Sequence, residues 1–150
     1  MSDEYNNFIC QVPDNIMRHT KAQLCNYTAL FKPHYICGKT NIDVTDYHIV
    51  VLSDNVPDTY FNNKVIRISQ GKTLAINPGD KVYCSQRLST KPYYSLLIKP
   101  RLLQRIAEEM EFYDEIKFSE LQNPFSGNLF WMMKNYEQEY DRKDRLPLLL

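Results

Sequence analysis

Glycine is scarce in this chain, with 4 in 150 residues, and any imbalance of charge is missing: Lys+Arg is 18, Asp+Glu is 18 and the formal net charge is zero. A domain that grips nucleic acid by itself draws most of its affinity from phosphate neutralisation and carries a basic excess. That lack argues against a nucleic-acid-gripping role for this stretch of chain. No apolar run approaches the ~20 residues of a membrane helix. The opening "MSDEYNNFIC" is acidic and polar, unlike a secretory signal. The cysteines Cys10, Cys25, Cys37 and Cys84 form no CxxC pair. Without a signal segment they read as reduced thiols of a cytoplasmic protein, and without histidine clusters they make no zinc site. Catalytic constellations are missing too. Glu108 and Glu109 sit on a charged helical face, Ser85 and Ser95 have no His and Asp in a recognisable order, and "SQGKT" lacks the upstream glycine of a phosphate-binding loop. The expectation is a chain that is not an enzyme and needs no cofactor or metal.

What is present is a globular composition, 43% hydrophobic and 13% aromatic with 11 tyrosines. The length suits one domain. Residues 1–20 read as an irregular polar arm carrying Pro13. Residues 21–99 read as short strands at roughly regular spacing: "AQLCNYTALF", "YHIVVLS", "NKVIRISQ", "KTLAINP", "KVYCSQ" and "YYSLLIK", with Asp-, Asn- and Pro-rich turns such as "SDNVPD" between them. This pattern indicates an all-β sandwich or barrel. Residues 100–150 turn helical. "RLLQRIAEEMEFY" spaces Leu102, Leu103, Ile106 and Met110 on one side, and "KFSELQNPFSG" reads as a loop offering Phe118, Leu121 and Phe125 to the core. "NLFWMMKNYEQEYDRKDR" places Leu129, Met133, Tyr136 and Tyr140 on one stripe.

Two of the few glycines frame the stretch "GKTLAINPGDKVYCS", a strand, a Pro78-Gly79 turn and a second strand. It resembles the second motif of the cupin barrel, in which a Gly is followed by Pro-x-Gly, a metal-binding His and an Asn. Gly71 and Gly79 match the glycines, Asn77 stands where the first Pro would be, Val82 replaces the His and Gln86 the Asn. The strand "YHIVVLSDN" resembles the end of the first motif. There the ligand positions His, His and Glu read Ile42, Val44 and His48, and Asn55 takes the place of the closing Gly. Apolar side chains donate nothing to a metal, so the resemblance implies the fold without the metal chemistry.

The metal-free form resembles the N-terminal effector-binding and dimerisation domain of AraC-type transcription regulators. The arm, the "INPGD" hairpin, the "KPYYSLLIKP" exit strand and the two helical segments carry that likeness, from about residue 20 to residue 150. It implies a mostly β fold, a cupin-like (double-stranded β-helix) barrel followed by C-terminal α-helices. It also implies a cytoplasmic bacterial homodimer that senses a small molecule and reaches DNA only through a helix-turn-helix domain outside this chain. The closing "RLPLLL" then reads as a cut ahead of that domain. If alternate residues face inward, Ile42, Val44, His48, Val82 and Cys84 line the effector pocket, and Tyr60, Tyr93 and Tyr94 can add a hydroxyl. A sugar stacked on an aromatic ring is one effector of this kind. Phe8, Ile9 and Pro13 are candidate contacts of an arm closing over the pocket. The stripe Leu129, Met133, Tyr136 and Tyr140 either caps the barrel or forms the dimerisation face. The competing expectations are a stand-alone cupin enzyme acting on a sugar or small acid, and a purely structural dimerisation module with a filled interior.

Overall fold

The structure is a computed structural model and describes residues 2–36, 40–52, 56, 58–69, 71–84, 88–89 and 92–142. Cys37, Asn55, Gln86 and the "RLPLLL" segment lie outside the described residues. A short 3-10 turn, Ser2–Tyr5, leads into α1 (Asn6–Ile9) and α2 (Asp14–Met17). Strands follow: β1 (Lys21–Leu24), β2 (Thr28–Lys32), β3 (Tyr35–Ile36), β4 (Asn41–Asp43), β5 (Tyr47–Val51), β6 (Thr59–Phe61), β7 (Lys64–Ile66), β8 (Lys72–Ile76), β9 (Lys81–Cys84), β10 (Leu88–Ser89) and β11 (Tyr94–Ile98). Helix α3 (Pro100–Glu109), strand β12 (Gln122–Pro124) and helix α4 (Gly127–Asp141) complete the described chain.

The protein is mostly β with a C-terminal helix. A six-stranded antiparallel sheet runs β1-β2-β11-β5-β8-β12, a four-stranded one runs β4-β9-β6-β7, and β10 pairs with β3 in a small ladder. From β2 onward the chain passes back and forth between the two larger sheets. Val50, Leu74 and Ile76 from one sheet pack with Phe61, Ile42 and Val82 from the other, so the sheets face each other across one core. Among the described residues no hydrogen-bonded ladder joins those two sheets, and the expected barrel is not closed.

Local chemistry explains the turns. Asn62 and Asn63 sit at φ 52 and 67, the double left-handed geometry of a tight hairpin between β6 and β7, which asparagine tolerates. Gly79 has φ +92 in the Pro78-Gly79 turn, where an added Cβ would meet nothing within 4 Å. Conformation, not space, therefore requires glycine there. The turn is docked as well: the Gly79 amide donates to the Val44 carbonyl at 2.7 Å and the Val44 amide to the Asp80 carbonyl at 2.9 Å.

The structure departs from the sequence expectations in three of its elements. "AQLCNYTALF" is two strands rather than one, a hairpin in which Leu24 pairs with Ala29. The "KFSELQNPFSG" loop contains β12, paired with β8, although nothing in Gln-Asn-Pro favours a strand. The arm is not irregular; it forms helical turns, and Tyr5 and Ile16 are each 1% exposed. On α3 Ala107 is buried and Leu102 and Leu103 are partly buried, while Ile106 and, just past the helix, Met110 are exposed. Among the described residues no helix is long and apolar enough to cross a membrane.

Candidate functional site

Strand alternation divides each strand of the six-stranded sheet between two environments. On β5, His48 and Val50 point to the space between the sheets, while Ile49 and Val51 point outward. On β11, Ser95 points inward and Tyr94 and Leu96 outward. The inward faces enclose a cavity of about 150 Å³. Its wall holds Ile42, Val44, His48, Val82, Cys84 and Tyr93, six of the eight residues expected to bind an effector.

The other two point elsewhere. Tyr60 lies on the outer face of β6, exposed, with its ring 5.9 Å from that of Tyr83. Tyr94 turns outward beneath α4, where its hydroxyl donates to Glu137 Oε1 at 2.8 Å and its ring meets Phe130 edge-on. Strand parity excludes both from the cavity, because each is one residue out of step with an inward neighbour.

The arm supplies the lid of this space. Phe8, Val12, Ile16 and Met17 line the cavity, and Phe8 sets its ring edge-on to His48 at 5.5 Å. Ile9 packs instead with Tyr5, Phe31 and Leu97, and Pro13 is the residue preceding α2, so neither contributes the pocket contact expected of it. The arm is fastened by polar contacts. Gln11 reads the backbone of β4, its Nε2 donating to the Asp43 carbonyl at 3.0 Å and its Oε1 accepting from the Asp43 amide at 2.6 Å. Tyr5 Oη donates to the Cys25 carbonyl at 2.8 Å, and Lys99 lies 4.5 Å above the Tyr5 ring while pairing with buried Asp46 at 3.1 Å.

His48 is the titratable group in the wall. Burial pushes its imidazole down to about 4, so it is neutral near physiological pH. Its Nε2 hydrogen-bonds Ser95 Oγ. Sequence reasoning misses Ser95 as a pocket residue, although a lone polar residue inside the apolar run "YYSLLI" is a visible signal. The four residues aligned with the cupin ligand positions converge on one space, but three are Ile42, Val44 and Val82, and hydrocarbon cannot coordinate a metal. No group of three or more metal-binding side chains is found among the described residues.

The stripe on α4 faces its own sheet. Met133 is 2% exposed against Leu30, Val51 and Tyr94, with Leu129 and Tyr136 packed beside it. The apolar contacts of these residues are thus made within the chain, and the stripe caps the six-stranded sheet. Tyr140 is half-buried on the same helix, while Trp131 and Met132 stand exposed on another side of it. Glu137 fixes the helix to the sheet by accepting from Tyr94, Lys21 and Lys32. Burial raises its pKa, but these donors outweigh burial and bring it below the usual carboxylate range.

No family model matches the chain, and no curated protein matches it. Among solved structures it resembles the plu4264 protein from Photorhabdus luminescens, at 8% identity and a TM-score of 0.38, over 59% of this chain and 76% of that one.

Proposed function

We propose that this chain is the small-molecule-sensing and dimerisation domain of a bacterial AraC-type transcription regulator, built on a cupin-like double-stranded β-helix. The observation that carries this reading is the convergence of Ile42, Val44, His48 and Val82, the residues aligned with the cupin ligand positions, on one apolar cavity covered by the N-terminal arm. The order β2-β11-β5-β8 facing β4-β9-β6-β7 supports the fold assignment, since it is the strand order of a jelly roll. The cavity also favours a sensor over a filled structural module, because a chain selected only for packing leaves few voids larger than a water.

Two corollaries refine the reading. The effector is mostly apolar rather than a sugar: each sugar hydroxyl needs a hydrogen-bond partner on burial, and the lining is overwhelmingly hydrocarbon. The dimerisation surface moves from the α4 stripe to the exposed apolar residues Ile106, Met110, Phe112 and Tyr113 around the end of α3. DNA is reached through a domain outside this chain. The reading disfavours a stand-alone cupin enzyme, for which the cavity supplies one imidazole and no carboxylate among the described residues. Elemental analysis followed by a thermal-shift screen against apolar compounds, sugars and divalent metals tests it, together with sedimentation equilibrium. Metal-free protein stabilised by an apolar compound and sedimenting as a dimer is the expected result. Stoichiometric bound metal with metal-dependent stabilisation overturns it.

A further inference from the structure

The cavity wall carries one polar pair that packing does not require. His48 and Ser95 lie on adjacent strands β5 and β11, diagonal to each other in a register where Ser95 pairs with Val50 and Leu97 with His48. Two apolar residues of similar size at these positions would avoid burying polar atoms. The neighbouring polar groups are engaged elsewhere. Tyr93 Oη donates to the Tyr35 carbonyl at 3.2 Å and Thr20 Oγ1 to the Ile16 carbonyl at 2.9 Å, while Thr40, Thr59 and Cys84 make interactions of their own.

We propose that the cavity takes a neutral, ring-sized ligand bearing a single polar group, which is anchored at the Ser95–His48 pair and covered by Phe8. The proposal rests on the reading of the cavity as an effector site and names the chemical class of that effector. Size follows from the volume: about 150 Å³ is the scale of an apolar cavity that accepts one aromatic ring. Neutrality follows from the lining, which contains no Lys or Arg among the described residues, and from an imidazole uncharged near pH 7. A carboxylate or phosphate would there be a buried charge without a partner. The single polar group follows from the chemistry of the pair. If the Ser95 hydroxyl donates to Nε2, its oxygen can still accept a hydrogen bond from a ligand hydroxyl; if Nε2–H donates to Ser95, the serine O–H is left to donate to a ligand oxygen. In either tautomer Ser95 keeps capacity for a hydrogen bond to the ligand. With the neighbouring polar side chains engaged this is where one ligand polar group is served, while Phe8, at 5.5 Å from the His48 ring, is an aromatic neighbour for the ligand ring.

The test titrates the 150-residue chain with toluene, p-cresol, benzoate and glucose, reading the thermal midpoint and the nitrogen NMR shifts of the His48 ring. The expected result is p-cresol binding about tenfold more tightly than toluene, one buried hydrogen bond's worth, with benzoate and glucose silent. The His48 ring resonances move with p-cresol and stay with toluene, and Ser95→Ala makes the two aromatic ligands equal. Equal affinities in the unmodified chain with an unmoved imidazole overturn the anchor but leave the cavity as a ligand site. Preference for benzoate or glucose overturns the ligand class. No stabilisation by any of the four, toluene included, removes the effector reading itself. Should Ser95→Ala fail to fold, the toluene and p-cresol comparison in the unmodified chain decides alone.

Discussion

The two faces of the six-stranded sheet share the same strands and differ in how they are filled. The outer face is closed by α4, with Met133 and Leu30 each 2% exposed and Glu137 tying helix to sheet through Tyr94 and two lysines. The inner face is closed by the arm and a second sheet, yet keeps a cavity of about 150 Å³ with a half-buried imidazole in its wall. A period of two residues is all that separates them, since Tyr94 goes to the packed side and Ser95 to the hollow one. The outer face therefore holds stability and the inner face holds room, and changes on the two sides should differ in sign as well as size.

The largest effect is expected from Met133→Ala. Removing a side chain that is 2% exposed and wedged between helix and sheet leaves a void and should lower stability by about 3 kcal/mol, measured by urea unfolding. A loss under about 0.5 kcal/mol, the scale of surface substitutions, would mean that α4 is not closely packed. Next is acid. His48 has its pKa lowered by burial from 6.5 to about 4, so between those values the unfolded chain binds more protons than the folded one. Stability is then present in full above pH 6.5 and is lost as pH falls toward 4. The loss is at most about 3 kcal/mol, because each tenfold difference in proton affinity between the folded and unfolded chain is worth about 1.4 kcal/mol. His48→Gln should flatten that limb of the pH–stability curve, and a limb unchanged by the substitution would place the titration in another group.

The outer face has its own acid response. Glu137 is stabilised as a carboxylate, so its contribution is present above its ordinary value of 4.5 and is lost as pH falls below it. Glu137→Gln keeps the shape and removes the charge, and should lower stability at pH 7 by about 1–2 kcal/mol while leaving the limb between 4 and 6.5 intact. The two substitutions thus separate the two faces by pH range.

How much of this is readable in advance follows the range of the interactions. Ile42, Val44, Val82 and Cys84 are placed together by period-two alternation, a local signal, and they meet in the cavity. Parity alone does not say which of Tyr93 and Tyr94 turns inward, because the partner that settles it, Glu137, lies 43 residues from Tyr94. The stripe Leu129, Met133 and Tyr136 is legible as an apolar face, but amphipathicity gives the face and not what covers it. The arm looks polar residue by residue, yet Val12, just ahead of α2, and Ile16 within it are both buried. Strand β12 has no local signal at all. It is held by pairing with β8 and by Gln122, whose Nε2 donates to the Arg67 carbonyl at 3.1 Å and whose Oε1 accepts from the Ser69 amide at 3.1 Å.

The smallest effect is the one that discriminates best between a hollow interior and a filled one. Val82 lines the cavity and is only partly buried against the inner cluster. Val82→Leu adds one methylene, whose burial is worth about 0.8 kcal/mol where there is room, against a penalty of about 1–3 kcal/mol where the core is already full. A leucine also gives up some of the strand preference of a β-branched residue, roughly a few tenths of a kcal/mol. With a cavity of about 150 Å³ beside it, the gain should outweigh these losses slightly, leaving the thermal midpoint unchanged or a degree or two higher. Affinity for toluene should fall at the same time, because the added carbon occupies the ligand's space. At Leu30 no such room exists, and enlarging that outward-facing residue should destabilise. A clear loss of stability in Val82→Leu would show that the inner face is as tightly filled as the outer one, and the contrast between the two would collapse.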